Sequence, residues 1–153
     1  MSIEARLAEL GIILPEAAAP VAAYKPVVVA QGFAHVSGQL PFIDGSLVTG
    51  RLGDTVDVER GYAAARACGL MLLAQVKAAG IALDDVAQVV KLGAFVSSAD
   101  DFIGQPRVAN GASELMAEVF GEAGKHARSA VGVPVLPLGA AVEVDAIFAI
   151  RGG

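Results

Sequence analysis

The sequence predicts an α+β fold, a mixed β-sheet with two long helices packed on one face. Extended apolar runs and helical stripes follow each other in the order β-β-α-β-α-β-β. Two stretches carry both helical periodicity and helix stop signals, and the last two strand candidates are separated by a short Pro-Leu-Gly turn.

Residues 2–10 read as a short amphipathic helix, with Ser2 as N-cap, Ile3, Leu7 and Leu10 on its apolar side, and Gly11 as the stop. Residues 12–23 are Ala/Pro-rich and expected to be irregular. Val27–Gln31 and Phe33–Leu40 are strands separated only by Gly32, which implies a tight hairpin or a bulge, and Pro41 ends the second. Within Ile43–Gly53, Asp44-Gly45 is a hairpin signal between short extended pieces. Asp57–Ala79 is the first long helix: Thr55 or Asp57 caps it, Val58, Tyr62, Ala65, Leu72 and Val76 share a stripe, and Gly80 stops it. Val86–Val96 is a β-branched, buried strand. Pro106 at the first helical position opens the second long helix, which runs to Phe120 before Gly121. Ala130–Val135 and Ala141–Ile150 are the last strands, joined through Pro137-Leu138-Gly139, a connection short enough for a hairpin. Residues 1–153 are expected to form a single domain, with 1–20 as a helical N-terminal extension.

Composition narrows the function. With 11 Lys+Arg against 16 Asp+Glu the net charge is −5 and the pI about 4.9, which repels phosphate and argues against nucleic acid as a partner. At 55% hydrophobic and 18% charged residues, general disorder is excluded. The single Cys68 cannot close an intramolecular disulfide, the N-terminus MSIEARLAEL lacks a basic and then apolar leader, and no run approaches the roughly 18 apolar residues of a membrane span. A soluble cytoplasmic protein is expected, with no membrane partner. A mean hydropathy of +0.61 reflects either an Ala-rich composition or apolar surface that meets another subunit; the second is expected, because obligate interfaces resemble core.

Most catalytic patterns are missing. His35 and His126 lie 91 positions apart, no H-E-x-x-H or C-x-x-C spacing exists, and no metal site is expected. Gly121–Lys125 does not complete a phosphate loop, no G-x-S-x-G elbow occurs, and Cys68 reads as a small core residue within the first long helix. The informative segment is His126–Pro137 followed by Ala141–Ile147. There Arg128 opens an otherwise small and apolar strand, and Glu143 interrupts the next between two valines. A hairpin would bring both charges near one end of a single ladder. On residue types alone two readings stay open. One is a structural Arg–Glu pair or two exposed strand ends; the other is a site where a guanidinium grips a small carboxylate and a glutamate takes a proton from water.

The ordered set of Tyr24, Val36-Ser37-Gly38-Gln39-Leu40-Pro41, Val89-Val90-Lys91 with Phe95-Val96, Asp101-Phe102, Ala127-Arg128-Ser129, Leu136-Pro137 and Val142-Glu143-Val144 resembles the reactive-intermediate deaminase (RidA/YjgF) family. The likeness is greatest to its longer branch, labelled L-PSP endoribonuclease, and covers Tyr24 to Ile150. It implies a chorismate-mutase-like fold, a homotrimer with ligand clefts between subunits, and cofactor-free hydrolysis of 2-imino acids to 2-oxo acids and ammonia. Carried over by the resemblance, Arg128 binds the carboxylate of a small metabolite and Glu143 activates water. Tyr24 supplies a hydroxyl, the Gly38 backbone approaches the substrate beside Ser37, and Ala130 contributes its main chain. The resemblance is broken at Lys25-Pro26, at His126, at Ala130 and in a longer Glu122–Lys125 loop. Beside these roles stand plainer ones: Gly38 as a bulge residue, Tyr24 as an interface anchor, and His126 as a solvated loop residue. A carboxylate-binding module without catalysis is the alternative function, and an endoribonuclease the least favoured.

Overall fold

The computed structural model describes residues 1–20 and 22–152. Its elements are α1 (Ile3–Glu9), β1 (Val27–Ala30), β2 (Phe33–Gln39), β3 (Phe42–Ile43), β4 (Ser46–Leu47), α2 (Val58–Ala78), β5 (Val86–Ser97), α3 (Gln105–Phe120), β6 (Ala127–Val133) and β7 (Val142–Ile150). The described residues between α1 and β1 form neither helix nor strand, as expected from their composition.

Local chemistry places these elements. Ser2 caps α1 by accepting from the Ala5 N–H, and Asp57, not Thr55, caps α2 by accepting from the Arg60 N–H at 2.8 Å. Thr55 instead accepts from the Arg51 N–H. β1 and β2 form a two-residue hairpin in which Gln31 and Gly32 both have positive φ (55° and 79°). Asp44-Gly45 turns β3 into β4 the same way, with φ of 50° and 79°. α3 begins at Gln105, one residue before the position at which Pro106 was expected to open it. Strand β6 begins three residues earlier than predicted, at Ala127, and stops at Val133 before Pro134.

The five-stranded sheet runs β1-β2-β7-β5-β6, with β5 and β6 parallel and the other neighbours antiparallel. The β6–β7 hairpin that the short connection allowed does not form: β5 lies between them. α3 carries the chain back to the end where β5 began, so β6 can only pair in parallel. The linker from Pro134 to Ala141 then crosses to the β4 side, held by Gly50 N–H to Gly139 C=O (3.0 Å) and Ala141 N–H to Val48 C=O (3.0 Å). The contents of the strands explain the order. β7 turns Val142, Val144, Ala146 and Phe148 inward, all essentially inaccessible, whereas β6 has only Arg128, Ala130 and Gly132 on that side. The strand with bulky apolar side chains takes the centre beneath the helices and the other is left at the edge.

α2 and α3 pack on each other and on this same face, so the expectation of two long helices on one side holds. They approach closely at Gly111, where a Cβ would collide with the Tyr62 carbonyl. Cys68 is fully buried in α2, and burial pushes its thiol well above the ordinary range, which leaves it inert. The opposite face of the sheet carries no helix. It is lined by Val28, Phe33, His35, Ile147 and Val131 among others, with Val28, Phe33 and Val131 39–47% exposed. The accessible surface of 7555 Å² exceeds the roughly 7,200 Å² expected for this mass, consistent with an uncovered sheet. Among the described residues no helix is long and apolar enough to cross a membrane.

Candidate functional site

The predicted site residues fall into two groups at separate places in the chain. The first is built around a β-bulge. Between the pairs Val36–Ala146 and Gln39–Val144, Ser37 and Gly38 together oppose the single Asp145. The bulge turns Gly38 toward Glu143: a Cβ there would lie 2.8 Å from Glu143 Cδ and collide with Oε2. Gly93 on β5 makes the same room for Asp145, whose Cγ would stand 3.2 Å from its Cβ. Two glycines thus lay two carboxylates flat on the helix-free face. Gly38 therefore serves both as a bulge residue and as the space for Glu143.

Both carboxyls titrate above their ordinary range. Burial raises Glu143, and the Asp145 charge two residues along the same strand raises it further. Burial also raises Asp145, against the opposing pull of the Gly93 N–H and of Lys91. Ser37 ties the Tyr24 segment to this place, its hydroxyl donating to the Lys25 carbonyl at 3.1 Å and its N–H to the Pro26 carbonyl at 2.9 Å. The Tyr24 side chain is 48% exposed and open to a ligand or a neighbouring molecule.

The second group surrounds Arg128 on edge strand β6. Its guanidinium Nη1 donates to Asn110 Oδ1 (2.9 Å) and Ser113 Oγ (3.1 Å) on α3, and no carboxylate among the described residues pairs with it. Ser113 Oγ also lies 2.8 Å from His126 Nε2, and His126 Nδ1 lies 2.6 Å from the Gly124 carbonyl. His126 is partly buried in this network, which corrects its reading as a solvated loop residue. Ser113, His126 and Arg128 share a hollow of about 340 Å³ with Glu114, Ala117, Gly124 and Lys125. Ala130, two residues beyond Arg128, packs against the core with its β6 backbone at the sheet edge. A larger hollow of about 780 Å³ lies between Ile13–Ala18, the β3–β4 hairpin and α2, and contains none of the predicted residues.

Arg128 and Glu143 do not meet within one chain. Leu92 pairs with Arg128 on one side and Ala146 on the other, while Phe95 pairs with Val131 and Glu143. Three residues of register reverse the face, so Arg128 points to the helix side and Glu143 to the open side. Two strand spacings and three residues separate them by about 14 Å. A structural Arg–Glu pair within one chain, left open by the sequence, is therefore excluded. Sequence reasoning missed Asp145, Asn110 and Ser113. Asp145 was signalled by its i+2 spacing from Glu143, and the other two only by their i, i+3 spacing on a helix whose partner strand was unknown. Among the described residues no group of three metal-binding side chains occurs.

Space at Gly38 gives a direct test of the carboxylate group. Gly38→Ala is expected to displace the Glu143 side chain and reduce any Glu143-dependent rate by about 10²-fold or more. Anion binding at Arg128 should stay within twofold of the parent, with steady-state rates and calorimetry as the two measurements.

Residues 4–150 match the family model described as "YjgF/chorismate mutase-like, putative endoribonuclease". The match includes α1 from Glu4 onward, which the motif resemblance had left outside. The chain is 54% identical over 151 residues to Protein TCP17 of Trypanosoma cruzi, covering 97% of this chain and 94% of that one. It superposes on the solved structure of Atu1372 from Agrobacterium tumefaciens with a TM-score of 0.90 at 48% identity, covering 97% and 92% of the two chains. It also superposes on RidA from the Antarctic bacterium Psychrobacter sp. PAMC 21119, with a TM-score of 0.61 at 28% identity over 88% and 94%. With its sheet, its helices and nearly its whole length accounted for in this way, the chain belongs to the YjgF/chorismate-mutase-like (RidA) family.

Proposed function

We propose that this protein is a cytoplasmic homotrimer that hydrolyses reactive 2-imino acids to 2-oxo acids and ammonia in clefts between subunits. The single observation that carries the proposal is a partly buried guanidinium, that of Arg128, held by two neutral acceptors and paired with no carboxylate among the described residues. Such a group keeps its full charge for an external anion. The two half-sites support assembly. Arg128 lies on an unpaired sheet edge, while Glu143, Gly38 and the Tyr24 segment lie on an uncovered apolar face. A head-to-tail ring, in which one copy's β6 edge meets the next copy's open face, joins them and covers both.

In that cleft Arg128 of one subunit grips the substrate carboxylate and aims C2 of the C=N bond at a water held by Glu143 of its neighbour. Glu143 takes a proton from the water as oxygen bonds to C2 and passes it to the imine nitrogen, which gives a carbinolamine. Glu143 then takes the carbinolamine hydroxyl proton and delivers it to the amino nitrogen as the C–N bond breaks, so that ammonia leaves a 2-oxo acid. An imine is already electrophilic, so positioning and one base suffice, with no cofactor. RNA fits less well, because the net charge is −5 and the open face carries Glu143 and Asp145.

The test generates 2-aminocrotonate and its imine from threonine with a dehydratase and follows 2-oxobutanoate release. Acceleration over buffer by the purified oligomer is the expected result; its absence with oligomer intact rejects the proposal. The pH profile carries a further expectation. Glu143 acts ionised and titrates above its ordinary value of 4.5, so kcat/KM should fall on the acid side with a midpoint above 4.5. A limb at or below that value would remove Glu143 as the base.

A further inference from the structure

We propose that Asn110, Ser113 and His126 are positioning residues that hold Arg128 aimed without neutralising it; this rests on Arg128 being the carboxylate site. The hydrogen bonds run in one direction. The Gly124 carbonyl can only accept, so His126 Nδ1 carries the proton of that 2.6 Å contact. In the neutral ring Nε2 is then an acceptor, and it takes the Ser113 hydroxyl proton at 2.8 Å. The Ser113 oxygen is left to face Arg128 with lone pairs only, and receives Nη1 at 3.1 Å. Asn110 supplies the second acceptor at 2.9 Å. Each partner in the relay is satisfied and none neutralises the guanidinium.

The carboxylates of α3 underline the point. Glu114, next to Ser113, accepts from the Tyr62 hydroxyl at 2.7 Å, and Glu118 accepts from Arg66 at 3.4 Å. Both accept from side chains of α2, and the two α3 residues that hydrogen-bond Arg128 are neutral. A carboxylate at position 110 would make an equally good hydrogen bond and would silence the cation as an anion receptor.

Calorimetry with 2-oxobutanoate on the intact oligomer tests this, with melting temperature as the control for folding. Asn110→Asp should weaken binding at least about 30-fold, by supplying an internal competitor, with no loss of melting temperature. Ser113→Ala and His126→Ala should each weaken it by about tenfold, and Ser113→Thr, which keeps the hydroxyl, should restore it. Parent-like binding by Asn110→Asp, while Arg128→Ala binds nothing, overturns the positioning role and leaves the site assignment standing. Parent-like binding by Arg128→Ala overturns both.

Discussion

Arg128→Ala is expected to lower kcat/KM for imine hydrolysis by about 10²–10³-fold and to abolish 2-oxobutanoate binding, with little change in melting temperature. The two halves of that expectation have different sources. The catalytic loss follows from removing a charged, oriented donor whose partner is the substrate alone. The small effect on stability follows from what Arg128 does in the free chain, where it hydrogen-bonds two neutral side chains and pairs with no carboxylate among the described residues. A structural arginine would behave in the opposite way: its loss would lower the melting temperature by several degrees and leave binding intact. Steady-state kinetics, calorimetry and thermal melts on one preparation separate the two.

Glu143→Gln is expected to lower kcat by about 10²–10⁴-fold while 2-oxobutanoate still binds. The amide keeps the shape that Gly38 makes room for but cannot take a proton from water. Retention of the rate would reduce Glu143 to a wall of the cleft and favour a carboxylate-binding module. Its effect on stability runs the other way. The Glu143 carboxyl titrates above its ordinary range because burial and Asp145 disfavour its ionised form. The fold therefore binds that proton more tightly than the unfolded chain does. The resulting stabilisation is full below about pH 4.5 and is lost as pH rises through the raised value. At pH 7 the charged form is a burden that glutamine lacks, so Glu143→Gln should melt higher than the parent. The difference should vanish below pH 4.5. A residue that destabilises the fold where it sits, yet is needed for turnover, is the signature of a group kept for chemistry. Melting curves at pH 4 and pH 7 decide the point.

Much of the fold was legible because its causes are local. Asp57 caps α2 through its own side chain, Asp44-Gly45 turns because both residues reach positive φ at small cost, and Gly80 and Gly121 stop their helices in the same way. The placing of Glu143 between two valines was legible in β7, where a strand turns successive residues to opposite faces. The same alternation placed Glu143 on the face away from Val142 and Val144, and the ordered motifs pointed to Arg128 and Glu143 as the charges that matter.

Strand order was not legible, and the site depends on it. Chain proximity made a β6–β7 hairpin the natural expectation, because a short turn costs little closure entropy. The tertiary structure chose otherwise: only β7 could fill the helix-covered centre with bulky side chains, and β6, with arginine, alanine and glycine inward, took the edge. Inserting β5 between them put Arg128 and Glu143 on opposite faces, about 14 Å apart. Asn110, Ser113 and His126 converge on Arg128 for the same reason, since α3 must cross back over β6. Residue-to-neighbour preferences are written along the chain, but which strands become neighbours is settled by competition for one buried layer, and that competition involves every strand at once.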